Sequence, residues 1–109
     1  MTMLLPEGLE VIHQPARLAL MTLLYQRGDV GASAARAATG LTPGNLDSHA
    51  KRLVELGFVQ ARKTLTREGF EARYRITAKG VGAMREYLGW LEGFALRLRR
   101  PAGEPSSPP

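Results

Sequence analysis

Apolar residues recur at helical spacing between residues 41 and 59. They lie four, three and three positions apart, on one face of a helix, and they are Leu46, Ala50, Leu53 and Leu56. Thr42 suits the N-cap, because its hydroxyl can accept a hydrogen bond from an unpaired N–H of the first turn. Pro43 suits the first helical position, which needs no N–H, and Gly57 can end the helix in the left-handed conformation. The pattern predicts a capped amphipathic helix.

The opposite face of this helix is polar, with amide and hydroxyl groups in its first turns and basic groups along its middle. Its residues are Gly44, Asn45, Asp47, Ser48, Lys51, Arg52 and Glu55, with His49 at the edge of the apolar stripe. Such a face fits a helix that enters the DNA major groove, where Asn and Ser reach base edges and Lys and Arg contact phosphates. An ordinary solvated helix face fits equally well, so the neighbouring elements must decide.

Two helical patterns precede this one, after a short apolar lead-in at residues 9–12. The first helix should run from about Pro15 to Arg27, with Gly28 as its stop. The second, from about Ala32 to Thr39, is nearly all alanine, which favours a helix and lets a neighbour approach closely. A tight turn at Gly40 then leads into the capped helix. Two helices joined by a short glycine-containing turn are typical of a helix-turn-helix.

After Gly57 the apolar period changes from 3.6 to 2. Two strand-like runs, Phe58 to Leu65 and Phe70 to Ile76, flank a turn at residues 66–69. The second run has alternating residues that predict a half-buried strand with a basic outer face, namely Ala72, Tyr74 and Ile76 against Arg73 and Arg75. A helix-turn-helix followed by a basic hairpin is a winged helix, and its tip should lie near Arg67.

A last helix should run from Ala78 to about Leu98, capped by Thr77. Its apolar seam is Val81, Met84, Leu88, Leu91, Ala95 and Leu98, and an aromatic stripe of Tyr87, Trp90 and Phe94 lies beside it. Such a helix must be covered on two sides, either by its own core or by a second copy of the chain. We favour a dimerisation helix, because so small a domain can hardly cover both sides. Residues 99–109, rich in Pro, Ser and Gly, are predicted to be a disordered tail after one domain at 1–98.

Composition adds a bias in charge. The chain of 109 residues carries a net charge of +5 and no cysteine, so it has no disulfide framework and no thiolate metal site. Most of the excess lies in residues 47–80, which hold eight Lys and Arg against four Asp and Glu. A local basic excess is expected of a protein that binds a polyanion.

Several classes of protein are not supported by the sequence. The N-terminus lacks the basic region of a signal peptide, and no apolar run approaches the roughly 18 residues of a membrane helix, so we expect a soluble cytoplasmic protein. Asp47, Ser48 and His49 resemble a catalytic triad in composition, but consecutive helical residues diverge by roughly 100° and cannot form a relay. No phosphate-binding glycine loop and no metal-ligand spacing occur, so we expect neither an enzyme nor a cofactor.

Four motifs in this order resemble the small MarR/ArsR-type winged-helix regulators. They are His13-Gln-Pro-Ala-Arg-Leu, Leu41-Thr-Pro-Gly-Asn-Leu-Asp-Ser-His, Leu53-Val-Glu-Leu-Gly-Phe-Val and Tyr74-Arg-Ile-Thr-Ala-Lys-Gly. The similarity spans roughly residues 9–95. It implies a mainly α fold with a small β-hairpin (α+β), a winged helix-turn-helix with a long C-terminal dimerisation helix. It also implies a homodimeric regulator of transcription that binds double-stranded DNA.

Carried onto this chain, the resemblance implies recognition-helix contacts at Thr42, Gly44, Asn45, Ser48 and His49, and wing contacts at Arg67 and Arg73. Asp47, Lys51, Arg52 and Lys63 complete the expected DNA-binding set. The expected dimer interface is Val81, Met84, Tyr87, Leu88, Leu91, Phe94, Ala95 and Leu98.

Two positions depart from the family pattern. Asp47 stands where a small hydroxyl residue is usual, which places a negative charge near phosphate or a cytosine amino group. Ala50 replaces the usual leucine, so the core beneath the motif is smaller.

The alternative interpretation is a winged helix that binds a protein partner through the aromatic stripe. A small-molecule effector bound between the last helix and the winged domain stays an open alternative, although nothing in the sequence marks a pocket for it.

Overall fold

The computed structural model describes residues 4–103, so residues 1–3, and residues 104–109 of the expected tail, lie outside the description. A 3-10 turn at Leu9–Val11 precedes seven elements. They are α1 (Pro15–Arg27), β1 (Asp29–Gly31), α2 (Ala32–Thr39), α3 (Pro43–Glu55), β2 (Val59–Thr66), β3 (Gly69–Ile76) and α4 (Ala78–Arg97). The winged-helix prediction is confirmed, with element bounds within one or two residues of those expected.

Helix α3 has the predicted start and stop. The hydroxyl of Thr42 accepts a hydrogen bond from the backbone N–H of Asn45 at 3.2 Å, and Pro43 occupies the first turn. At the other end Gly57 has φ +78°, a left-handed conformation that lets its N–H donate to the carbonyl of Val54 at 2.9 Å. These local contacts fix where α3 begins and ends.

The sheet has one strand more than the sequence predicted. Its order is β1-β3-β2, with both pairs antiparallel. In the short strand β1, Asp29 pairs with Arg75 and Gly31 with Arg73. Three residues are too few to show a period of two, so β1 leaves no pattern in the sequence.

The β2–β3 hairpin has two distinct faces. The inner face, turned toward the helices, carries Val59, Ala61, Lys63, Leu65, Phe70, Ala72, Tyr74 and Ile76. The outer face carries Gln60, Arg62, Thr64, Glu71, Arg73 and Arg75. Val59 and Tyr74 are buried, whereas Arg75 is exposed, which confirms the predicted half-buried strand with a basic outer face.

The core lies between the helices and the inner face of the sheet. Its fully buried large side chains are Ile12, Leu20, Met21, Leu24, Leu46, Leu53, Val59 and Tyr87. The stripe predicted on α3 contributes Leu46, Ala50 and Leu53 to this core, whereas Leu56 is half-buried at its margin. The polar face of α3 is therefore turned outward because its apolar face is committed to the core.

Helix α4 packs closely against the base of the hairpin at Gly80. A Cβ built on Gly80 would lie 2.2 Å from the carbonyl oxygen of Phe58 and 2.9 Å from Cγ1 of Ile76. No side chain fits at such distances, so Gly80 is the residue that lets α4 approach the strand ends.

The two halves of α4 have different environments. Met84 and Tyr87 are 2% and 1% exposed in the core of the same chain, and the Tyr87 hydroxyl lies 2.7 Å from Nδ1 of His13. Leu88 and Leu91 are each 39% exposed and Leu98 is 75% exposed. The first half of α4 thus folds back on its own domain, and the second half presents apolar side chains to solvent.

In the described part of the chain, no helix is long and apolar enough to cross a membrane.

Candidate nucleic-acid interface

The exposed face of α3 gathers most of the predicted contact residues. Thr42, Gly44, Asn45, Asp47, Ser48, Lys51 and Arg52 are all exposed. Arg52 pairs with Glu55 one turn later, with 3.3 Å between Nη1 and Oε2. Both side chains are at least half exposed, and such a pair exchanges readily with solvent or with a phosphate. The first turns of α3 therefore offer amide, carboxylate and hydroxyl groups, and the middle offers positive charge.

His49 differs from its neighbours because it is half-buried and is contacted by α1. Its Nδ1 lies 3.3 Å from Nη1 of Arg17, and the Arg17 Nε–H donates to the carbonyl of Val11. Because a guanidinium can only donate, Nδ1 of His49 is the acceptor in this contact. Arg17 thereby connects the 3-10 turn, α1 and the recognition face, a role that the sequence did not reveal.

The first turns of α3 lie beside the hairpin. Burial raises the pKa of the Tyr74 hydroxyl, and the negative charge of Asp47 raises it further. Tyr74 is buried on the inner face of the hairpin, so Asp47, on the exposed face of α3, lies near the buried part of that face.

A cluster of three arginines around Asp29 fixes the outer face of the hairpin to β1. Arg73 Nε lies 2.9 Å from Oδ1 of Asp29, and Arg62 Nη1 and Arg75 Nε lie 3.0 Å and 3.4 Å from Oδ2. The hydrogen bond from Arg62, followed by that from Arg73, holds the pKa of Asp29 below its ordinary value of 3.8. Because the single carboxylate of Asp29 faces three guanidinium groups, the cluster keeps an excess of positive charge.

A second carboxylate joins the hairpin to α2. Gly31 stands at the N-cap of α2 and has no side chain to accept a hydrogen bond. Oε1 of Glu71, on β3, accepts the backbone N–H of Ser33 at 2.6 Å instead. This hydrogen bond is the main cause that lowers the pKa of Glu71 from its ordinary value of 4.5. Glu71 therefore caps α2 from the hairpin, where its charge also suits the helix dipole.

The hairpin residues of the predicted DNA-binding set do not share one environment. Arg67 lies exposed in the turn between β2 and β3, which the Thr66 hydroxyl closes by donating to the carbonyl of Gly69 at 2.8 Å. Lys63 is exposed on the inner face, whereas Arg73 is half-buried on the outer face and bound to Asp29. Arg73 can reach a phosphate only by exchanging Asp29 for it.

A metal centre finds no support in the described residues. Between residues 4 and 103, no three His, Asp or Glu side chains lie close enough together to hold an ion. Open grooves occur on the surface, among them an apolar one of about 460 Å³ beside His13, Leu18 and Tyr87.

A helix-turn-helix whose second helix exposes polar side chains beside a basic hairpin defines the class of winged-helix DNA-binding domains. Residues 16–95 match the family model of the winged helix DNA-binding domain, and the chain belongs to that family. An uncharacterized protein of Methanocaldococcus jannaschii is 29% identical over 80 residues, which are 73% of this chain and 87% of that protein.

Solved structures agree with this assignment. The chain is similar to a transcriptional regulator homologue from Pyrococcus horikoshii OT3, with a TM-score of 0.77 and 28% identity over 84% of this chain and 90% of that one. It is also similar to the antimony-specific transcriptional repressor AntR, with a TM-score of 0.61 and 25% identity over 81% and 76% of the two chains. The resemblance to MarR/ArsR-type winged-helix regulators, predicted from the motifs, is confirmed.

Proposed function

We propose that this protein is a homodimeric transcriptional regulator that reads a pseudo-palindromic site on double-stranded DNA. The observation that carries the proposal is the capped helix α3, which exposes a polar face and packs against a hairpin rich in positive charge. Family membership supports DNA binding as such. The dimer, the symmetry of the site and the contact residues are our proposals.

Sequence would be read by the first turns of α3 in the major groove. Asn45 can form two hydrogen bonds with an adenine, and the Ser48 hydroxyl can donate to or accept from several base edges. Asp47 can accept only, so near bases it would favour the amino group of cytosine. Thr42, Gly44 and His49 border these side chains.

Affinity would come mainly from contacts with phosphates, which release counterions. Lys51 and Arg52 follow the reading residues along α3, and Lys63 and Arg67 lie on the hairpin. Arg73 belongs to the same set only if phosphate displaces Asp29, which now holds it.

The exposed half of α4 supports the dimer. Leu88 and Leu91, and Leu98 just after the end of the helix, are open to solvent, and Phe94 is half-buried. Fully burying one leucine stabilises a contact by roughly 1.5–3 kcal/mol, so a pair of these helices can hold two chains together. Met84 and Tyr87, predicted in the same interface, are already covered by their own chain and would support the interface from beneath.

The proposal is tested by selecting bound duplexes from a random library and by measuring the mass of the free protein with light scattering. A two-fold dimer predicts selected half-sites of inverted sequence, with centres about 34 Å or one helical turn apart. Leu88→Arg should give a monomer that binds single half-sites weakly. A monomeric wild type, or selected sites without inverted symmetry, would contradict the dimer.

The same exposed end of α4 also supports a second candidate, a winged helix that binds a protein partner. That function predicts no sequence preference in the selection. Enrichment of one motif by the wild type, with a relaxed preference at one base pair in Asn45→Ala, would decide for DNA.

A further inference from the structure

Strand β2 forms an open edge of the sheet. The strand order is β1-β3-β2, so one side of β2 pairs with β3, and within residues 4–103 no strand lies on its other side. The edge is as long as the strand itself, Val59–Thr66. A row of unpaired backbone N–H and C=O groups at such an edge can pair with a further strand.

A hydrogen bond at the base of the hairpin shows which backbone groups point outward. The N–H of Thr77 donates to the carbonyl of Phe58 at 3.0 Å. In an antiparallel pair, residues bonded to the partner strand alternate with residues whose N–H and C=O groups point away from it. Counting from Phe58 along the register, the outward groups in the exposed part of β2 belong to Ala61, Lys63 and Leu65.

The edge has room and apolar surface for an added strand. At the base of the hairpin, an open groove of about 480 Å³ lies beside Ala61, and Val54 of α3, which is 37% exposed, forms part of its wall. No residue of β3 lines this groove, so it lies on the open side of β2. At the tip, Leu65 and Phe70 are paired in the register and are 75% and 76% exposed. Apolar side chains of an added strand can therefore pack at both ends of the edge.

The charges beside the edge favour an acidic partner. Strand β2 carries two cations, Arg62 and Lys63, and no acidic residue. On the outer face, the side chains of Arg62 and Arg75 are 51% and 60% exposed. Asp29, the carboxylate that both contact, lies on β1 at the opposite side of the sheet. Because a guanidinium has five N–H donors, both arginines can bind a further carboxylate from the side of β2.

The same charges disfavour a second copy of the chain as the occupant. Two β2 strands paired antiparallel about their centres would place Arg62 and Lys63 of one copy opposite those of the other, and facing like charges destabilise a strand pair. Cations on an edge strand are a common protection against pairing between copies. Duplex DNA offers negative charge, but it has no peptide N–H and C=O groups to continue the sheet. A strand of opposite charge satisfies both requirements.

We propose that the open edge of β2 binds an extended segment of another protein in which acidic and apolar residues alternate. The segment adds a fourth strand to the sheet. Successive side chains of a strand point to opposite faces, so its acidic side chains lie toward Arg62 and Arg75 on the outer face. Its apolar side chains lie toward Leu65 on the inner face. The site is separate from the polar face of α3 and does not depend on DNA binding.

Synthetic peptides with blocked ends, matched in length to β2, test this proposal. A peptide of alternating Glu and Val should bind, and a peptide of alternating Lys and Val should bind at least roughly tenfold more weakly, as measured by calorimetry. Methylating the N–H groups along one edge of the Glu-Val peptide should abolish binding, whereas methylating those along its other edge should leave it intact. Only one edge of an added strand faces β2.

Amide hydrogen exchange locates the peptide on the protein. At saturating Glu-Val peptide, the N–H groups of Ala61, Lys63 and Leu65 should exchange at least roughly tenfold more slowly, because each gains a hydrogen bond. Those of Arg62 and Thr64 already bond to β3 and should change little.

A matched pair of variants separates this site from general charge attraction. Arg62→Gln should weaken binding of the Glu-Val peptide roughly tenfold. Arg85→Gln, which removes the same charge from the exposed surface of α4, should not weaken it. Thermal unfolding of Arg62→Gln should stay close to that of wild type, since the ion pair that it loses is half exposed.

Three results would overturn the added strand, and none of them bears on DNA binding, which is decided by the selection of duplexes. The first is no binding of the Glu-Val peptide, or equal binding of its two methylated forms. The second is equal binding of a peptide with the same Glu and Val residues in two blocks, which would assign the affinity to charge alone. The third is protection of Ala61, Lys63 and Leu65 that grows with protein concentration in the absence of peptide, which would assign the edge to a second copy.

Discussion

Helix α3 and the hairpin beside it are held in place by different kinds of interaction. Helix α3 is defined locally, by the Thr42 hydroxyl at its start and the left-handed Gly57 at its end. The hairpin is fixed by residues distant in sequence, because Asp29 binds Arg73 and Glu71 caps α2 at Ser33. Helix α3 should therefore withstand changes in the rest of the domain better than the orientation of the hairpin does.

The largest expected effect lies at the base of the hairpin. Gly80→Ala would place a Cβ 2.2 Å from the carbonyl oxygen of Phe58, so α4 must move away from the strand ends. We expect a loss of about 2–3 kcal/mol in the free energy of unfolding, measured by chemical denaturation.

Gly82→Ala is the matched control in the same helix. A Cβ at Gly82 meets no atom within 4 Å, so this change should stabilise α4 by roughly 0.5–1 kcal/mol through helix propensity. If both alanine variants have equal stability, the close approach at Gly80 is not what holds α4 to the hairpin.

The next effect concerns reading by α3. Asn45→Ala should weaken binding to the selected site by roughly 1–3 kcal/mol and relax the preference at one base pair. Lys51→Ala, two turns further along the helix, should weaken good and poor sites equally, because phosphate contacts carry no sequence information. An unchanged ranking of sites in Asn45→Ala would show that another residue reads the DNA.

Removing the local cap of α3 should have a smaller effect that stays local. Thr42→Ala loses the hydrogen bond to the N–H of Asn45 and should cost about 1 kcal/mol of stability, whereas Thr42→Ser should keep most of it. Hydrogen exchange should accelerate in α3 and remain unchanged in β2 and β3. Equal acceleration in the hairpin would contradict the separation of the two regions.

The smallest expected effect is a dependence of the wing on pH. The folded pKa values of Asp29 and Glu71 lie below their ordinary values of 3.8 and 4.5. Each carboxylate therefore contributes stability that is complete above its ordinary pKa and is lost as the pH falls through its lower folded pKa. After correction for the intrinsic exchange rate, exchange in β2 and β3 should accelerate as the pH drops below about 4.5.

Amide variants supply the control for this pH dependence. Asp29→Asn combined with Glu71→Gln should accelerate exchange in the hairpin at pH 7, after correction for the intrinsic exchange rate, and should remove most of the extra acid sensitivity. Exchange in α3 should follow the wild type at both pH values. A hairpin that keeps its full acid response in the double variant would assign that response to other carboxyl groups.

The same difference between local and distant contacts decides what the sequence could predict. The bounds of α1 and the start of α3 follow from Pro15, Gly28 and Thr42, whose effects are local. Strand β1 could not be predicted, because Asp29 and Val30 acquire their partners only when the chain returns at β3.

The candidate site divides in the same way. The exposure of Asn45 and Ser48 was predictable, because the apolar stripe of α3 fixes which face is turned outward. The pairing of Arg73 with Asp29 and the contact of Arg17 with His49 join residues 44 and 32 positions apart, and no local pattern marks such pairs. The two halves of α4 could not be separated either, since their apolar spacing is the same and only tertiary packing distinguishes Tyr87 from Leu88.

The most direct test of DNA binding by α3 and the hairpin is the affinity for the selected duplex, measured as a function of salt concentration. If α3 and the hairpin together bind the phosphate backbone, the logarithm of the binding constant should fall linearly with the logarithm of salt, by about 0.9 for each phosphate neutralised. Arg67→Ala should reduce this slope by about one such contact and weaken all sequences alike. An affinity that does not change with salt, or no affinity for any duplex, would contradict the account.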